Sequence, residues 1–354
     1  MLHKISSNNM TALIDEQGAE LRSLQYQGHE YLWQGDPAYW DGQSPLLFPY
    51  VGRFTDGKYC LHDKEYELPI HGFAKDSHFT VLKGPDGNAS DGNASDGNAS
   101  DGDASDGNAS GGAQESSADQ PAGSSITFML EDSDVTRAVY PYKFRLTVTY
   151  AIGEADLAGG AYAAGCTDAA GAPAQDTSTA PATLSVTYRV ENLSNETMYF
   201  GLGGHPAFQV PLEDGLNFED YKLVFSTAHK PSRVGHTPTC FLSGIDQPYP
   251  LEHGTDLPLH HDLFDDDAIV LKDVADTVTL CSDHGARSVT MHYPYLPYLG
   301  LWHMPKTDAP YICIEPWTSL PSRQDIIEDF ACKSDLIRLC PGGCYENGWQ
   351  ATLR

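Results

Sequence analysis

Hydrophobic and polar residues alternate with a period of two along several short stretches of the chain. The alternation is regular over residues 145–150 (RLTVTY) and 183–188 (TLSVTY), and it returns over residues 221–226 and 277–281. A period of two places successive side chains on opposite faces of a strand, so each stretch is predicted to be a half-buried β-strand. Glycine, proline, asparagine and aspartate separate such stretches, as turns between strands require.

Helical patterns are scarce and short, and residues 325–330 are one candidate. Many short strands with turn residues between them are typical of a large sandwich or barrel. The pattern therefore predicts an all-β fold.

Two long segments interrupt the alternation. Residues 85–124 contain five copies of a five-residue repeat (DGNAS, once DGDAS), and residues 153–182 are rich in alanine, glycine, threonine and proline. The repeat has no apolar residue larger than alanine, so it cannot bury enough surface to offset its ordering entropy. We predict a disordered acidic insertion for the first segment and a loop insertion for the second.

Strand-like runs flank both insertions, at residues 125–130, 144–152 and 182–191. The insertions are therefore predicted to interrupt hairpins of one sheet rather than to separate domains. We expect a single domain over residues 1–354, of roughly 280 residues without the insertions, a size that one all-β domain can reach.

The chain is strongly acidic, with 49 Asp and Glu against 21 Lys and Arg and a net charge of −28. This balance argues against nucleic acid or an anionic membrane face as a partner. No uninterrupted apolar run reaches the roughly 18 residues of a transmembrane helix. The first ten residues lack the apolar stretch of a signal peptide, so we expect a cytoplasmic protein.

Eight cysteines are present. In a reducing compartment they are expected to be thiols rather than disulfides, most of them acting as small buried apolar residues. Cys340 and Cys344 form the one close pair, with three residues between them and no second pair nearby. That spacing argues against a structural zinc site.

Four motifs break the alternation with polar residues among aromatic and glycine residues. They are SPLLFPYVGR, which ends at Arg53, IHGFA with His71, GLGGHPAF with His205, and YICIEPW with Glu315. Three of these residues could instead have a purely structural role. Arg53 could form a surface salt bridge, and His71 could be a buried histidine with its hydrogen bonds made within the protein. Glu315 could be paired with an arginine. A carboxylate within an apolar strand is costly to bury and is a candidate general base.

Two histidines, a glutamate and an arginine among aromatic residues suit proton transfer on a polyhydroxylated substrate. A metal site is the competing interpretation of His with Glu, but no H-x-H or H-E-x-x-H spacing supports it, and the adjacent His260 and His261 would diverge in an extended chain. Neither a phosphate-binding glycine loop nor a G-x-S-x-G nucleophile motif is present. We therefore predict no metal site.

The ordered set LFPYVGR, HGFA, GGHPAF and CIEPW resembles the aldose 1-epimerase (galactose mutarotase-like) family, in particular its LacX-like bacterial subgroup. The likeness runs from near residue 5 to near residue 345 and leaves out the two insertions. It implies a β-supersandwich with a sugar-binding cleft, no cofactor, and interconversion of the α and β anomers of an aldose.

The resemblance also implies a role for each motif residue. Glu315 would be the general base that takes the proton of the anomeric hydroxyl, and His205 the acid that protonates the ring oxygen. His71 would donate a hydrogen bond to the ring oxygen or a neighbouring hydroxyl, and Arg53 would bind the sugar. His205 is followed by Pro206, unlike the pattern of the galactose enzymes, which leaves the identity of the sugar open.

Further substrate-binding residues follow from the same resemblance. The family places an aspartate in the stretch 263–270 (LFDDDAIV), where Asp267 is favoured and Asp266 is the alternative. Trp302 and Phe73 complete the predicted set, Trp302 with a stacking or structural role.

The expected partner is a small, neutral sugar, and the chain is expected to be a monomer or a homodimer. A carbohydrate-binding protein of the same fold without turnover is the main alternative. An epimerase or lyase acting on an uncommon sugar is a third.

Overall fold

The computed structural model describes residues 1–7, 9–84, 124–153, 157, 160–162 and 182–354. Most of the two predicted insertions, 85–124 and 153–182, lies outside the described residues, and the disorder predicted for the first falls on such residues. Within the second, which was predicted to be a loop, residues 160–162 form a short strand that pairs with residues 344–346.

The described residues form 27 β-strands, one α-helix and four short 3₁₀-helices. The strands of the first part of the chain are β1 (Leu2–Ser7), β2 (Met10–Asp15), β3 (Leu21–Tyr26), β4 (His29–Glu30), β5 (Leu46–Leu47), β6 (Lys58–Leu61), β7 (Lys64–Glu67), β8 (Thr80–Lys83), β9 (Ser125–Glu131), β10 (Phe144–Ile152) and β11 (Gly160–Tyr162). The 3₁₀-helices span Thr55–Gly57, Ala74–Asp76, Phe218–Asp220 and His261–Phe264.

The strands of the second part are β12 (Ala182–Asn192), β13 (Met198–Phe200), β14 (Gly203–Gly204), β15 (Ala207–Gln209), β16 (Tyr221–Phe225), β17 (Ser232–Arg233), β18 (Gln247–Pro248), β19 (Asp256–Pro258), β20 (Ile269–Lys272), β21 (Thr277–Ser282), β22 (Ser288–His292), β23 (Tyr298–Trp302), β24 (Tyr311–Trp317), β25 (Glu328–Asp329), β26 (Ile337–Leu339) and β27 (Cys344–Leu353). The helix α1 spans Asp134–Val139, where the Ser133 side chain accepts from the backbone N–H of Thr136 as an N-cap.

Two large antiparallel sheets dominate the described fold. One has ten strands in the order β19-β16-β21-β22-β27-β12-β10-β9-β8, with β11 also paired to β27. The other has eight, in the order β18-β17-β20-β23-β24-β14-β5, with β15 also paired to β24. One apolar core contains side chains of both sheets, for example Leu146 and Val148 of the first and Ile312 and Ile314 of the second. The prediction of an all-β fold is confirmed.

The predicted strands around both insertions are present. β8 pairs with β9 and β10 pairs with β12, antiparallel in both cases. Each insertion therefore connects two neighbouring strands of the ten-stranded sheet, as the flanking sequence indicated. Long connections are tolerated there because the entropy of loop closure grows only slowly with length.

The helix predicted at residues 325–330 is absent. Asp325 has a positive φ of 59°, and Glu328 begins β25, which pairs in parallel with β6. The Arg323 guanidinium binds both carboxylate oxygens of Glu328, each at 2.9 Å. This bidentate pair and the strand pairing fix an extended backbone where the local sequence favoured a helical turn.

The cysteines are less buried than expected. No disulfide joins any of the seven that the structure describes, but only Cys313 and Cys344 are buried, while Cys332 and Cys340 are exposed. The expectation that most would be buried was wrong, because Cys240, Cys332 and Cys340 lie outside the strands, and Cys60 and Cys281 occupy half-buried strand positions. Among the described residues, no helix is both long enough and apolar enough to cross a membrane.

Candidate active site

The strand β24 carries the candidate base. Its even positions, Ile312 and Ile314, enter the core between the large sheets. Tyr311 and Cys313 belong instead to a separate aromatic cluster on the other face. Since side chains alternate along a strand, Glu315 lies on this second face, away from the sandwich core.

Strand register brings His205 to Glu315. Gly203 of β14 pairs with Trp317, and Ala207 of β15 pairs with Cys313. The same antiparallel register, carried across the break between β14 and β15, sets position 205 opposite position 315. Paired residues project from the same face of a sheet. The observed distance from His205 Nε2 to Glu315 Oε2 is 3.2 Å.

Gly300 of β23 lies beside Glu315 on the opposite side of β24. A Cβ atom at position 300 would come within 2.7 Å of the Trp317 ring. Glycine at this position therefore lets the Trp317 indole lie flat against the strand next to the carboxyl group.

His71 is held by a tight turn with left-handed backbone. Its φ is 65° and that of Gly72 is 73°, and a Cβ on residue 72 would come within 2.3 Å of the Phe48 carbonyl oxygen. The backbone N–H of Gly52 donates to His71 Nδ1 at 3.1 Å. Because Nδ1 accepts, the neutral ring carries its proton on Nε2. The Nε2–H group of His71 is therefore free to donate a hydrogen bond. His71 lines the cleft described in the next paragraph.

These residues border a cleft of about 640 Å³. Seven of the eight predicted site residues line it: Arg53, His71, His205, Asp266, Asp267, Trp302 and Glu315. Residues from β23, β24 and four connecting loops thus meet in one place.

Phe73 is the exception among the predicted substrate-binding residues. Its ring packs against Phe48, Phe144 and Tyr140, with centroids about 6 Å apart, as part of the hydrophobic core. The turn at His71 and Gly72 directs Phe73 inward and His71 towards the cleft. We therefore correct its assignment from substrate binding to core packing.

Several cleft residues were missed by sequence reasoning. Trp40 lies beside His205, with ring centroids 4.9 Å apart, and packs edge-on against the predicted Trp302, with centroids 5.5 Å apart. Cys240 and His236 also line the cleft. Only Trp40 had a signal, since it lies in an aromatic cluster near the N-terminus; the loop containing Cys240 has no distinctive pattern.

Burial shifts the titration of the central pair in opposite directions. It raises the pKa of Glu315 well above 4.5, and the negative charge of Asp267 raises it further. It lowers the pKa of His205 to about 4. It also holds the pKa of His71 well below 6.5, with the positive charges of His205, Lys75 and Arg53 acting in the same direction. The uncharged forms of all three groups are thus favoured.

Asp267 is better fixed than its neighbour. Its Oδ1 accepts from the backbone N–H of Ala268 at 2.8 Å, and its Oδ2 accepts from the Cys240 thiol at 2.6 Å. Asp266 is exposed and has no such contact among the described residues. The guanidinium of Arg53 has no carboxylate partner within the described part of the chain, which leaves its donors available to a ligand in the cleft.

The arrangement can therefore exchange protons with a hydroxylated ligand held between aromatic rings. Its central atoms are also of the kind that bind metals: ligand atoms of His205, Cys313 and Glu315 all lie within 4.8 Å of one another. Motif spacing could not reveal this cluster, because His205 and Cys313 are distant in sequence.

The sequence model of the aldose 1-epimerase family matches residues 1–100. Over its whole length the chain is 26% identical to protein LacX (chromosomal) of Lactococcus lactis subsp. lactis, of which the match covers 99%.

Solved structures of similar fold cover the whole chain. A galactose mutarotase-like protein from Lactobacillus casei is 29% identical, with a TM-score of 0.77 and 100% of that chain covered. A galactose mutarotase related enzyme from Lactobacillus acidophilus is 27% identical, with a TM-score of 0.76 and 97% covered. Galactose 1-epimerase from Lactobacillus acidophilus NCFM, at 12% identity and a TM-score of 0.60, shares the fold.

Proposed function

We propose that this chain is a member of the aldose 1-epimerase family and that it interconverts the α and β anomers of an aldose by acid–base catalysed opening and closure of the sugar ring. The observation that carries the proposal is the buried pair His205 and Glu315, 3.2 Å apart at the wall of an aromatic cleft. A protein that only binds sugar has no use for two ionisable groups so costly to bury.

The reaction needs one proton removed and one delivered. The single proton of the pair first passes from Glu315 to His205, whose Nε2 lies 3.2 Å away. Glu315 then takes the proton of the anomeric hydroxyl while His205 gives its proton to the ring oxygen. The bond between the anomeric carbon and the ring oxygen breaks, and the anomeric carbon becomes an aldehyde. Rotation about the adjacent carbon–carbon bond exposes the other face of the aldehyde. Closure reverses both proton transfers, so the protein returns to its starting state without a cofactor.

The remaining cleft residues hold the sugar. His71 donates from Nε2 to the ring oxygen or an adjacent hydroxyl. Arg53 donates to hydroxyl oxygens, and the Asp267 carboxylate accepts from hydroxyl hydrogens. The indole rings of Trp40 and Trp302 contact the apolar faces of the sugar. Several directed hydrogen bonds of this kind set the orientation in which the acid and base reach their atoms.

The direct test is the rate of anomer equilibration, followed by NMR in freshly dissolved α-glucose and α-galactose. We expect the protein to accelerate equilibration of at least one aldose in a panel that extends to other pentoses and hexoses. Saturable binding of a sugar with no acceleration would instead establish the carbohydrate-binding alternative and overturn the proposal.

The two aspartates offer a matched pair of variants. Asp267→Asn should raise KM by about 10- to 100-fold, the loss of one or two hydrogen bonds to a charged acceptor. Asp266→Asn, which removes an exposed carboxylate one residue away, should change KM less than about twofold. Steady-state mutarotation kinetics of both variants decide the register. A larger increase of KM in Asp266→Asn than in Asp267→Asn would assign the sugar contact to Asp266.

The pH dependence of kcat/KM follows from the two shifted groups. Turnover requires the pair to hold one proton in total. The pair gains a second proton as the pH falls through about 4, the pKa of His205. The pair loses its last proton as the pH rises through the raised pKa of Glu315. We therefore expect a bell-shaped profile of kcat/KM against pH with a broad plateau. The two apparent pKa values of this profile describe the coupled pair and not either residue alone.

The acid limb is the informative one. A profile of kcat/KM against pH that falls near pH 6.5, the value of an unperturbed histidine, would show that His205 is not desolvated in the working enzyme. It would contradict the proposed proton inventory.

We also place the enzyme in the cytoplasm and expect a monomer or a homodimer. Fractionation of the source cells and light scattering of the purified chain test these two expectations.

A further inference from the structure

The wall of the cleft contains three side chains whose donor atoms converge. Ligand atoms of His205, Cys313 and Glu315 lie within 4.8 Å of one another. All three residues are at least nine-tenths buried. We propose that these residues form a binding site for a thiophilic divalent cation of the zinc class, and that occupancy of this site blocks the acid–base pair.

One donor atom of the site lacks the hydrogen-bond partner that a buried polar atom normally has. Glu315 Oε2 is buried without a partner among the described residues. His205 Nε2 lies 3.2 Å from Glu315 Oε2 without aligning as a hydrogen bond. Orphaned buried polar atoms call for an explanation, and an unrecorded ion is one of those that recur.

The donor types select the metal. A thiolate, an imidazole and a carboxylate are the ligands of Zn²⁺, at roughly 2.0 to 2.3 Å from the ion. Magnesium and calcium prefer oxygen donors and are disfavoured by the sulfur atom. Donors around a tetrahedral zinc ion lie roughly 3.5 Å apart. The His205–Glu315 distance of 3.2 Å is already close to this value, and the Cys313 sulfur lies no more than 4.8 Å from the other two ligand atoms.

Access to the site is through the cleft. His205 and Glu315 both line it, and Cys313 lies behind them on the same face of β24. Three protein ligands leave a fourth position open towards the space in which the sugar is proposed to lie. Binding of the cation displaces the thiol proton of Cys313, and any proton on the pair, to solvent.

Inhibition is expected because Glu315 and His205 serve both as metal ligands and as the acid–base pair. The inhibition rests on the proposed function, whereas binding of the metal is independent of it. A bound cation occupies the lone pairs of Glu315 and His205 that would accept and deliver protons. The enzyme would then lose turnover in proportion to occupancy. A chelator should restore it.

Cobalt(II) provides a test of binding that does not depend on activity. The reduced, chelator-free protein is titrated with Co²⁺ and then with Zn²⁺ as a competitor. We expect a cobalt–thiolate charge-transfer band that Zn²⁺ abolishes. Cys313→Ser should remove the band and weaken Zn²⁺ binding by at least about 100-fold, more than the loss of an outer-shell partner.

Cys240→Ser is the matched control, because Cys240 is the other cysteine at the cleft. Cys332→Ser controls for an exposed thiol. Both variants should keep the band. Thermal unfolding establishes that Cys313→Ser is folded, and Cys313→Ala gives the same test if the serine variant is not.

The activity arm is separate. In Cys313→Ser, mutarotation without metal should be unchanged within about twofold, and micromolar Zn²⁺ should no longer inhibit. A cobalt band that survives in folded Cys313 variants, or that disappears in Cys240→Ser, would overturn the assignment. A band lost with Cys313 in a protein without mutarotase activity would retain the metal site and reject the proposed function.

Discussion

Replacement of Glu315 by glutamine is expected to lower kcat/KM for anomer interconversion by about 100- to 10,000-fold, the usual contribution of a general base. The amide has nearly the same shape as the carboxyl group and cannot accept a proton from the anomeric hydroxyl. Binding of the sugar should persist, because the other cleft contacts remain. NMR measurement of anomer equilibration and calorimetric measurement of sugar binding separate the two effects.

The same variant has a second readout that is independent of catalysis. Burial raises the folded-state pKa of Glu315 above the 4.5 of the unfolded chain. The stability that this proton contributes is fully present below about pH 4.5 and is lost as the pH rises through the raised folded value. Glu315→Gln has no proton to lose. Its melting temperature should therefore fall less than that of the wild type as the pH is raised across this window.

Asp41→Asn is the control for Glu315→Gln. Asp41 also lines the cleft but is exposed to solvent. Its replacement should change kcat/KM less than about twofold and should leave the pH dependence of the melting temperature unchanged. Wild-type activity in a folded Glu315→Gln protein would remove Glu315 from the mechanism.

The fold could be predicted from the sequence where a local pattern determines it. Residues 145–150 alternate strictly, and β10 has one buried face with the same alternation. The failed helix at residues 325–330 shows the limit of local pattern. There the bidentate contact between Arg323 and Glu328 and the pairing of β25 with β6 override a weak helical preference.

The residues of the candidate site were predictable in part, because short motifs mark polar residues that interrupt a strand pattern. The family resemblance joins four such motifs into one set. The motifs do not reveal how far apart these residues lie in the fold. The closeness of His205 and Glu315 depends on the pairing of β14 and β15 with β24, which no single stretch encodes.

Cys313 and Phe73 show what the sequence could not reveal. Cys313 is buried as expected, but its closeness to His205 depends on the pairing of β15 with β24. Phe73 was assigned to the cleft because it belongs to the same motif as His71. The left-handed turn between them sends the two rings in different directions, and only the backbone conformation reveals this.

His205→Asn is expected to have an effect comparable to that of Glu315→Gln, a loss of about 100- to 10,000-fold in kcat/KM. Asparagine can donate a hydrogen bond to the ring oxygen but cannot transfer a proton to it. The acid limb of the pH profile should also disappear, since it reports the protonation of His205. Measurement of kcat/KM against pH in the variant checks both consequences.

His71→Asn is the matched histidine control. Asparagine tolerates the positive φ at this position, and its side-chain oxygen can replace Nδ1 as acceptor for the Gly52 N–H. The variant loses a hydrogen bond to substrate and no proton transfer, so kcat/KM should fall by no more than about tenfold. Equal losses at His71 and His205 would contradict the separate roles proposed for them.

The double variant His205→Asn with Glu315→Gln provides the most demanding test of the pair. If the two groups act on one concerted exchange of protons, removal of either already abolishes it. The double variant should then be about as slow as the slower single variant. Independent roles would instead multiply the two losses. Additivity of the free-energy changes would therefore reject a coupled acid–base pair even if each single variant is inactive, and non-additivity would establish that the 3.2 Å contact between these residues operates in catalysis.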